Sequence, residues 1–435
     1  MKLYIKTFGC QMNEHDSERM LALLEVCGYQ ETKRWEEADV ILVNTCTVRE
    51  KPEQKAYSIL GRFQQIKEYK PYAIIGITGC VAQQRGEELL ARMPALDFVL
   101  GPGKIHTLPD ILRDMEKGKR GICSLGFENG YPVNLPIPHT KQLRAYVTIM
   151  QGCDNFCSYC IVPSVRGRER SRPSNQILAE IDALVQRGTK EVMLLGQNVN
   201  SYAKHNPAEL TFHQLLAKID AIPGLERIRF TTSHPKDLTE ELIEDFRALE
   251  HLCEHFHLPF QTGSNAVLEK MNRGYTREKY LTQVRTLREV TPQISITADV
   301  MVGFPGEGDD DFTQTLELVE EVEFDGLFSF KYSPRQGTRA AQWKNDVPLT
   351  VKQRRLAILQ ELQRGITLKK NKRLEGTIKE VLVEGSSRKS PHTMMGRTRC
   401  NRIVNIPGGS EMVGELFTVK ITEGLQNSLR GERCQ

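Results

Sequence analysis

Residues 153–160, Cys153-Asp154-Asn155-Phe156-Cys157-Ser158-Tyr159-Cys160, place three cysteines in one short loop directly after the apolar run 146–150. A C-x₃-C-x₂-C spacing can hold three corners of a cubane iron–sulfur cluster and leave the fourth iron open to a small molecule. If 146–150 is a strand, the loop leaves its C-terminal end, where parallel β/α folds carry their chemistry. A zinc knuckle completed by a distant ligand is the alternative reading.

Outward from this loop the chain alternates. Candidate strands at 146–150, 191–196, 226–232, 255–258, 295–302 and 326–332 are separated by amphipathic helical stretches. Such βα units suit an open, partial β/α barrel. Amides, hydroxyls and glycines gather at the strand ends, as in Gly196-Gln197-Asn198, Thr232-Ser233-His234 and Gln261-Thr262-Gly263-Ser264. Just after the cysteine loop, Arg166, Arg168, Arg170 and Arg172 alternate. In an extended segment, period two would put all four on one face, where they could grip phosphates. A solvated basic loop is the alternative. His234, His251, His255 and His257 share no metal-ligand spacing with any cysteine.

The first 120 residues repeat the α/β pattern. Strands are expected at 2–8, 39–44, 73–78 and 97–100, with helices over Glu14–Cys27, Arg49–Glu68 and Gln83–Arg92. Strands that are apolar throughout argue for a doubly wound parallel sheet. Cys10, Cys46 and Cys80 each follow a strand, 36 and 34 residues apart, about one βα repeat. The carboxyl ends of such strands line one edge of the sheet, so this placement can bring the three thiols to one point. They form a second candidate cluster site. Cys27, Cys123, Cys400 and Cys434 read as incidental.

Residues 122–144 include the Pro-rich ENGYPVNLPIPHTKQLR and read as a linker. Residues 350–373 read as one long basic helix, after which short β-like pieces with glycine turns suggest a small antiparallel barrel. The chain carries +4 overall, but residues 369–435 hold 13 Lys/Arg against 7 Asp/Glu. A basic module on a near-neutral body suggests a polyanionic partner; a protein-binding barrel is the alternative. Eleven cysteines in 435 residues, an odd number, do not make a disulfide scaffold. MKLYIKTFGC lacks the apolar core of a signal peptide, and no apolar run reaches about 18 residues. A cytoplasmic chain that does not enter membranes is expected.

Taken together, FGCQMNEHDSE at 8–18, NTCTVRE at 44–50, TGCVAQ at 78–83 and IMQGCDNFCSYCIVPSVRGRERSRP at 149–173 resemble the radical S-adenosylmethionine (SAM) methylthiotransferases. The resemblance covers essentially the whole chain. GRTRCNR at 396–402 and the terminal NSLRG resemble the TRAM domain, an OB-like RNA-binding barrel. The family implies an α/β organisation of four parts. They are an N-terminal methylthiotransferase domain (1–121), a linker (122–144), a radical SAM partial barrel (145–367) and a TRAM barrel (368–435).

The resemblance also implies two [4Fe-4S] clusters, an auxiliary one on Cys10, Cys46 and Cys80 and a radical SAM one on Cys153, Cys157 and Cys160. In the family one SAM donates a methyl group and a second is split to a deoxyadenosyl radical, with no catalytic side chain assigned here beyond the cluster ligands. Gln197, Ser233, Asp299 and Arg335 become candidate SAM or substrate contacts, and Arg166, Arg168, Arg170 and Arg172 candidate RNA contacts. Thr262 stands where the family usually has serine, and Gln336 where it has proline.

GCQMNEHDSE, NTCTVREK and GQNVNSY point to the branch acting on isopentenylated adenosine beside the tRNA anticodon. The branches acting on threonylcarbamoyl-adenosine or on a ribosomal-protein aspartate, which usually has lysine where Met12 stands, resemble it less. Implied partners are the tRNA anticodon loop and a low-potential donor such as flavodoxin or ferredoxin, with the chain acting as a monomer.

Overall fold

The structure is a computed structural model and describes residues 1–47, 50–127, 136, 142–387 and 390–434. Its first sheet has six parallel strands in the order Gln30–Glu31, Lys2–Thr7, Val40–Thr45, Ile74–Gly79, Phe98–Leu100 and Ile122–Ser124. Successive residues of the central strands face opposite sides. Ile41, Val43, Ile75 and Ile77 pack under the helices Glu50–Phe63 and Cys80–Arg92. Leu3, Leu42, Ile74 and Leu100 pack under Gln11–Val26 and Leu108–Glu116. Both faces are covered, as the apolar strands require. The order reverses between Lys2–Thr7 and Val40–Thr45, so the sheet has its switch point there, the crevice where open α/β sheets bind ligands.

Two expectations change. The short strand Gln30–Glu31 makes the three cysteine-bearing strands first, third and fourth in sequence, yet they remain neighbours in the sheet. The linker does not begin at 122. Ile122–Ser124 pairs with Phe98–Leu100 as the sixth strand, and Cys123, expected in a connector, packs against the apolar layer. Turn formers downstream hid this three-residue strand. Residues 128–135 and 137–141 of the expected linker, and Arg49 of the expected second helix, lie outside the described residues.

The central barrel is open. Arg144–Thr148, Glu191–Leu195 and Arg227–Phe230 form one parallel set, and His255–His257, Ser295–Val302 and Gly326–Lys331 another. An isolated parallel bridge from Ile228 to Leu252 joins them. The last module is a closed five-stranded barrel, antiparallel except where Ile403–Pro407 runs parallel to Leu429–Arg433. The helix Leu349–Lys372 leads into it along the β/α barrel, with Leu359 and Ile366 buried. No described helix is long and apolar enough to cross a membrane.

The basic GRTRCNR segment is used to dock this module onto the N-terminal strand ends of the barrel. The buried Arg229 gives Nε to Glu191 at 2.9 Å and its Nη atoms to the carbonyls of Arg399 and Thr398 at 2.7 and 2.8 Å. Arg227 reaches the Arg397 carbonyl at 2.7 Å and Glu380 at 2.8 Å. Arg399 returns to Glu254 at 3.0 Å, and Arg402 pairs with Asp325. Part of the module's positive charge is therefore neutralised inside the chain. Arg229→Met should destabilise the protein by about 3–5 kcal/mol, because it leaves buried Glu191 with Arg144 alone and two carbonyls unpaired in a dry interface. Arg430→Met, at an exposed pair with Glu423, should cost under about 1 kcal/mol. Denaturant unfolding of both variants checks the contrast.

Candidate active site between two strand-end crevices

The first cysteine trio sits at the switch point. Cys10 opens the helix Gln11–Val26, three residues earlier than expected, and Asn13 Oδ1 accepts from its amide and thiol at 3.5 and 3.4 Å. Asn13 Nδ2 in turn donates to Asn44 Oδ1 at 3.0 Å and to the Thr45 carbonyl at 3.2 Å, clasping the loop before Cys46. Cys80 begins its helix directly after Gly79, whose φ of +92° and 2.3 Å clearance to the Thr45 carbonyl exclude a side chain. Cys46 and Cys80 are buried while Cys10 is exposed at the mouth. Hydrogen bonding with Cys46 draws the Cys10 thiol down to about 6 and Cys80 to about 7, and Arg166 adds to both. Cys46, sharing its proton with the other two, is pushed well above the usual thiol range. Thiols held in mutual contact with two of them inclined to ionise suit thiolate ligation of iron.

The second trio is held by a different device. Met150–Gln151 pairs with Arg170–Ser171 as a short antiparallel clamp at the base of the cysteine loop. Gly152 follows at φ +81°, where a Cβ would lie 2.0 Å from the Arg168 carbonyl. Its amide donates to Gln197 Oε1 at 2.5 Å. On the far side, Ser158 Oγ and its amide bond the carbonyls of Lys270 and Met271 at 2.8 and 3.0 Å. Buried Arg273 places Nη1 3.5 Å from Cys157 Sγ and gives Nη2 to the Pro259 carbonyl at 2.8 Å. Burial pushes the Cys153 thiol up to about 11 and Cys160 to about 12. These sulfurs ionise only against a strongly positive centre, which a cluster's irons supply. Among the described residues no three His, Cys, Asp or Glu side chains converge at single-ion distances.

A cavity of about 1120 Å³ lies between the first two domains, lined on one side by Thr7, Phe8 and Gly9, the residue before Cys10, and on the other by Cys160, Asp299 and Arg335. Asp299 and Arg335, two of the candidate contacts, both line this cavity. Gln197 holds the cysteine loop instead, and Ser233 is buried with its hydroxyl unpartnered among the described residues. Two further residues carried no sequence signal. Tyr332 lines the cavity with a buried hydroxyl that has no partner among the described residues, and Arg273 reaches the cysteine loop from a distant turn.

The arginine row is corrected. Val162–Arg166 is a helical turn ended by Gly167 at φ +83°, so period two fails. Arg166 is buried against Asp16 at 2.7 Å, and Arg172 pairs with Glu180 at 2.5 Å. Arg170 lies over the Phe127 ring. Only the Arg168 side chain is largely exposed, bound to Asp154 at 2.6 Å and over Phe156. Carboxylates of two domains claim most of the row, and no common phosphate-gripping face exists.

The chain matches three families, described as uncharacterized protein family UPF0004 over residues 2–101, the radical SAM superfamily over 147–319 and the TRAM domain over 372–433. Among solved structures it resembles the radical S-adenosylmethionine methyltransferase TsrM from Kitasatospora setae, with a TM-score of 0.58 and 15% identity over 78% of this chain and 75% of that one. It also resembles the cobalamin-dependent radical enzyme OxsB, with a TM-score of 0.56 and 13% identity over 83% and 56%. At such identities the likeness concerns the fold alone. A protein of Syntrophus aciditrophicus named tRNA-2-methylthio-N(6)-dimethylallyladenosine synthase is 52% identical, over 99% of this chain and 94% of its own length. Proteins of the same name from Syntrophobacter fumaroxidans and Clostridium botulinum are 51% and 47% identical, over 99% of this chain and 95% and 96% of theirs. Identity of this order along nearly the whole chain places it in the tRNA-2-methylthio-N(6)-dimethylallyladenosine synthase family of radical SAM methylthiotransferases.

Proposed function

We propose that this enzyme attaches a methylthio group to carbon 2 of isopentenylated adenosine beside the tRNA anticodon. The observation that supports this most is the cavity between the two domains, lined by Cys160 of one cysteine trio and by Gly9, the neighbour of Cys10 in the other. Cys153, Cys157 and Cys160 would hold the cluster that binds SAM, and Cys10, Cys46 and Cys80 a second [4Fe-4S] cluster. When bound, the cluster–SAM pair supplies the hydrogen-abstracting power and the second cluster the sulfur. Everything else is positioning by the chain. Gly152 and Gln197 lock the loop, and Arg273 places positive charge behind Cys157 Sγ. Asp299, half-buried at the cavity wall, is placed to accept from ribose hydroxyls or an ammonium group, and Arg335 to hold a carboxylate or phosphate.

The isopentenyl group is branched and apolar, and Met301, Phe330, Val347 and Leu356 provide an apolar wall in the same cavity. The base must leave the anticodon stack to reach it. Transfer needs the reacting atoms at near-contact distance, which one shared cavity allows. We further propose functional units at 1–121 extended by the strand Ile122–Ser124, at 145–367 and at 368–435, and a monomer in the cytoplasm, where thiols stay reduced. One-electron reduction would come from a flavodoxin or ferredoxin. The TRAM barrel would bind tRNA through cations not consumed in docking, such as exposed Lys420.

Three outcomes test this. After anaerobic reconstitution the chain should hold on the order of eight irons. Replacing Cys153, Cys157 and Cys160 by Ala should halve that number and abolish SAM cleavage. Replacing Cys10, Cys46 and Cys80 should also halve it but leave SAM cleavage intact while methylthiolation stops; product from that variant would overturn the division of labour.

Anticodon-loop RNA bearing the isopentenyl group should gain the methylthio mass. The threonylcarbamoyl loop should react slower by well over about 100-fold, because its carboxylate would be buried against the apolar wall. Faster turnover of that loop would assign the neighbouring substrate.

Deleting residues 374–435 would also strip Arg227 and Arg229 of partners, so a point change is the cleaner test of RNA anchoring. Lys420→Glu should weaken tRNA binding and reduce the magnitude of its salt slope by about 1 or more. An unchanged slope in a titration would remove Lys420 from the anchor.

A further inference from the structure

We propose that Arg166 is a positioning residue shared by the two domains: held by Asp16, its guanidinium sets the reduction potential of the cluster on Cys10, Cys46 and Cys80. This rests on the two-cluster reading above. Arg166 belongs to the barrel, six positions after Cys160 and at the end of the turn Val162–Arg166. Ile161 and Val165 of the same segment pack against Cys80 in the first domain. The turn that closes one cysteine loop therefore delivers a cation to the other trio.

Arg166 is 4% exposed, and its Nη2 donates to Asp16 at 2.7 Å. Its Nη1 is buried and has no partner among the described residues. Buried donors in folded proteins are nearly always satisfied, so an unused one marks a place for an acceptor. The nearby acceptors are sulfurs: the turn that carries Arg166 packs on Cys80 through Ile161 and Val165, and the guanidinium charge draws the Cys80 and Cys10 thiols down. Sulfides and thiolates of a cluster take such donors, and net charge with hydrogen bonding to sulfur is what sets cluster potentials.

A cation beside the cluster favours the reduced, more negative state and raises its potential. Asp16 has the opposite sign, so removing each partner should move the potential in opposite directions. A residue that merely fastened the domains would not do this, because breaking the pair from either end would have the same effect.

The test uses full-length reconstituted protein in which Cys153, Cys157 and Cys160 are Ala, so that one cluster is read. An EPR-monitored titration with dithionite as one-electron donor gives its midpoint. Arg166→Met should disfavour reduction by about tenfold or more, which is a fall of about 59 mV for one electron. Arg166→Lys should restore most of this, and Asp16→Asn should raise the midpoint. Equal midpoints in all variants, or shifts of the same sign in Arg166→Met and Asp16→Asn, would overturn the proposal. If Arg166→Met fails to take up iron, the signs for Arg166→Lys and Asp16→Asn still decide. Iron-free protein in the starting background would instead remove the second cluster itself, a different failure seen in the metal count before any titration.

Discussion

A seam of buried ion pairs between the first domain and the barrel is the constraint on which the site depends. Arg166 pairs with Asp16, while Arg19 and Arg172 converge on Glu180 from the two domains. All but Arg172 among these side chains are under one tenth exposed. Parting the domains along this seam would strand opposite charges in partly dry surroundings, a heavy cost for breaking such pairs. The pairs add little stability over an apolar seam, but they permit one relative placement. That placement turns the carboxyl ends of two parallel sheets toward each other. The first sheet presents three thiols from three strand tips and the barrel three from one loop, and the cavity runs between the two domains beside Gly9 and Cys160.

The two sets of thiols are prepared in opposite ways. Those at the switch point share hydrogen bonds and feel Arg166, so two of them are drawn toward ionisation. Those in the barrel loop are pushed up by burial, with Arg273 as the nearby compensating cation. Assembly in the loop must expel protons that the first site partly surrenders beforehand. The two cysteine sites thus differ in electrostatics as well as in place.

Much of this was legible in the sequence because it rests on local periodicity. Apolar strands at βα spacing announced both parallel sheets, and Cys10, Cys46 and Cys80 fell at their tips because a strand must end where a ligand crevice begins. Met12, which separated this chain from the ribosomal-protein branch, proves to be buried with Met193 and Leu195 of the barrel. A lysine there would carry its charge into the seam. What stayed hidden depends on partners remote in sequence. The arginine row looked like a phosphate grip because nothing local reveals that Asp16, 150 residues away, will claim Arg166. GRTRCNR looked free for RNA because Glu254 and Asp325 lie over 75 residues away. Arg273, in a turn over 110 residues past Cys157, had no pattern to betray it.

The central claim is that both trios carry clusters facing one cavity, and magnetic coupling tests it most directly. Each cluster becomes paramagnetic on one-electron reduction, and two such centres across a shared cavity broaden and split each other's EPR signals. The spectrum of the fully reduced protein should therefore differ from the sum of the spectra of the two cysteine-trio variants, each holding one cluster. A spectrum equal to that sum would mean that the two centres do not face each other, and would contradict the account.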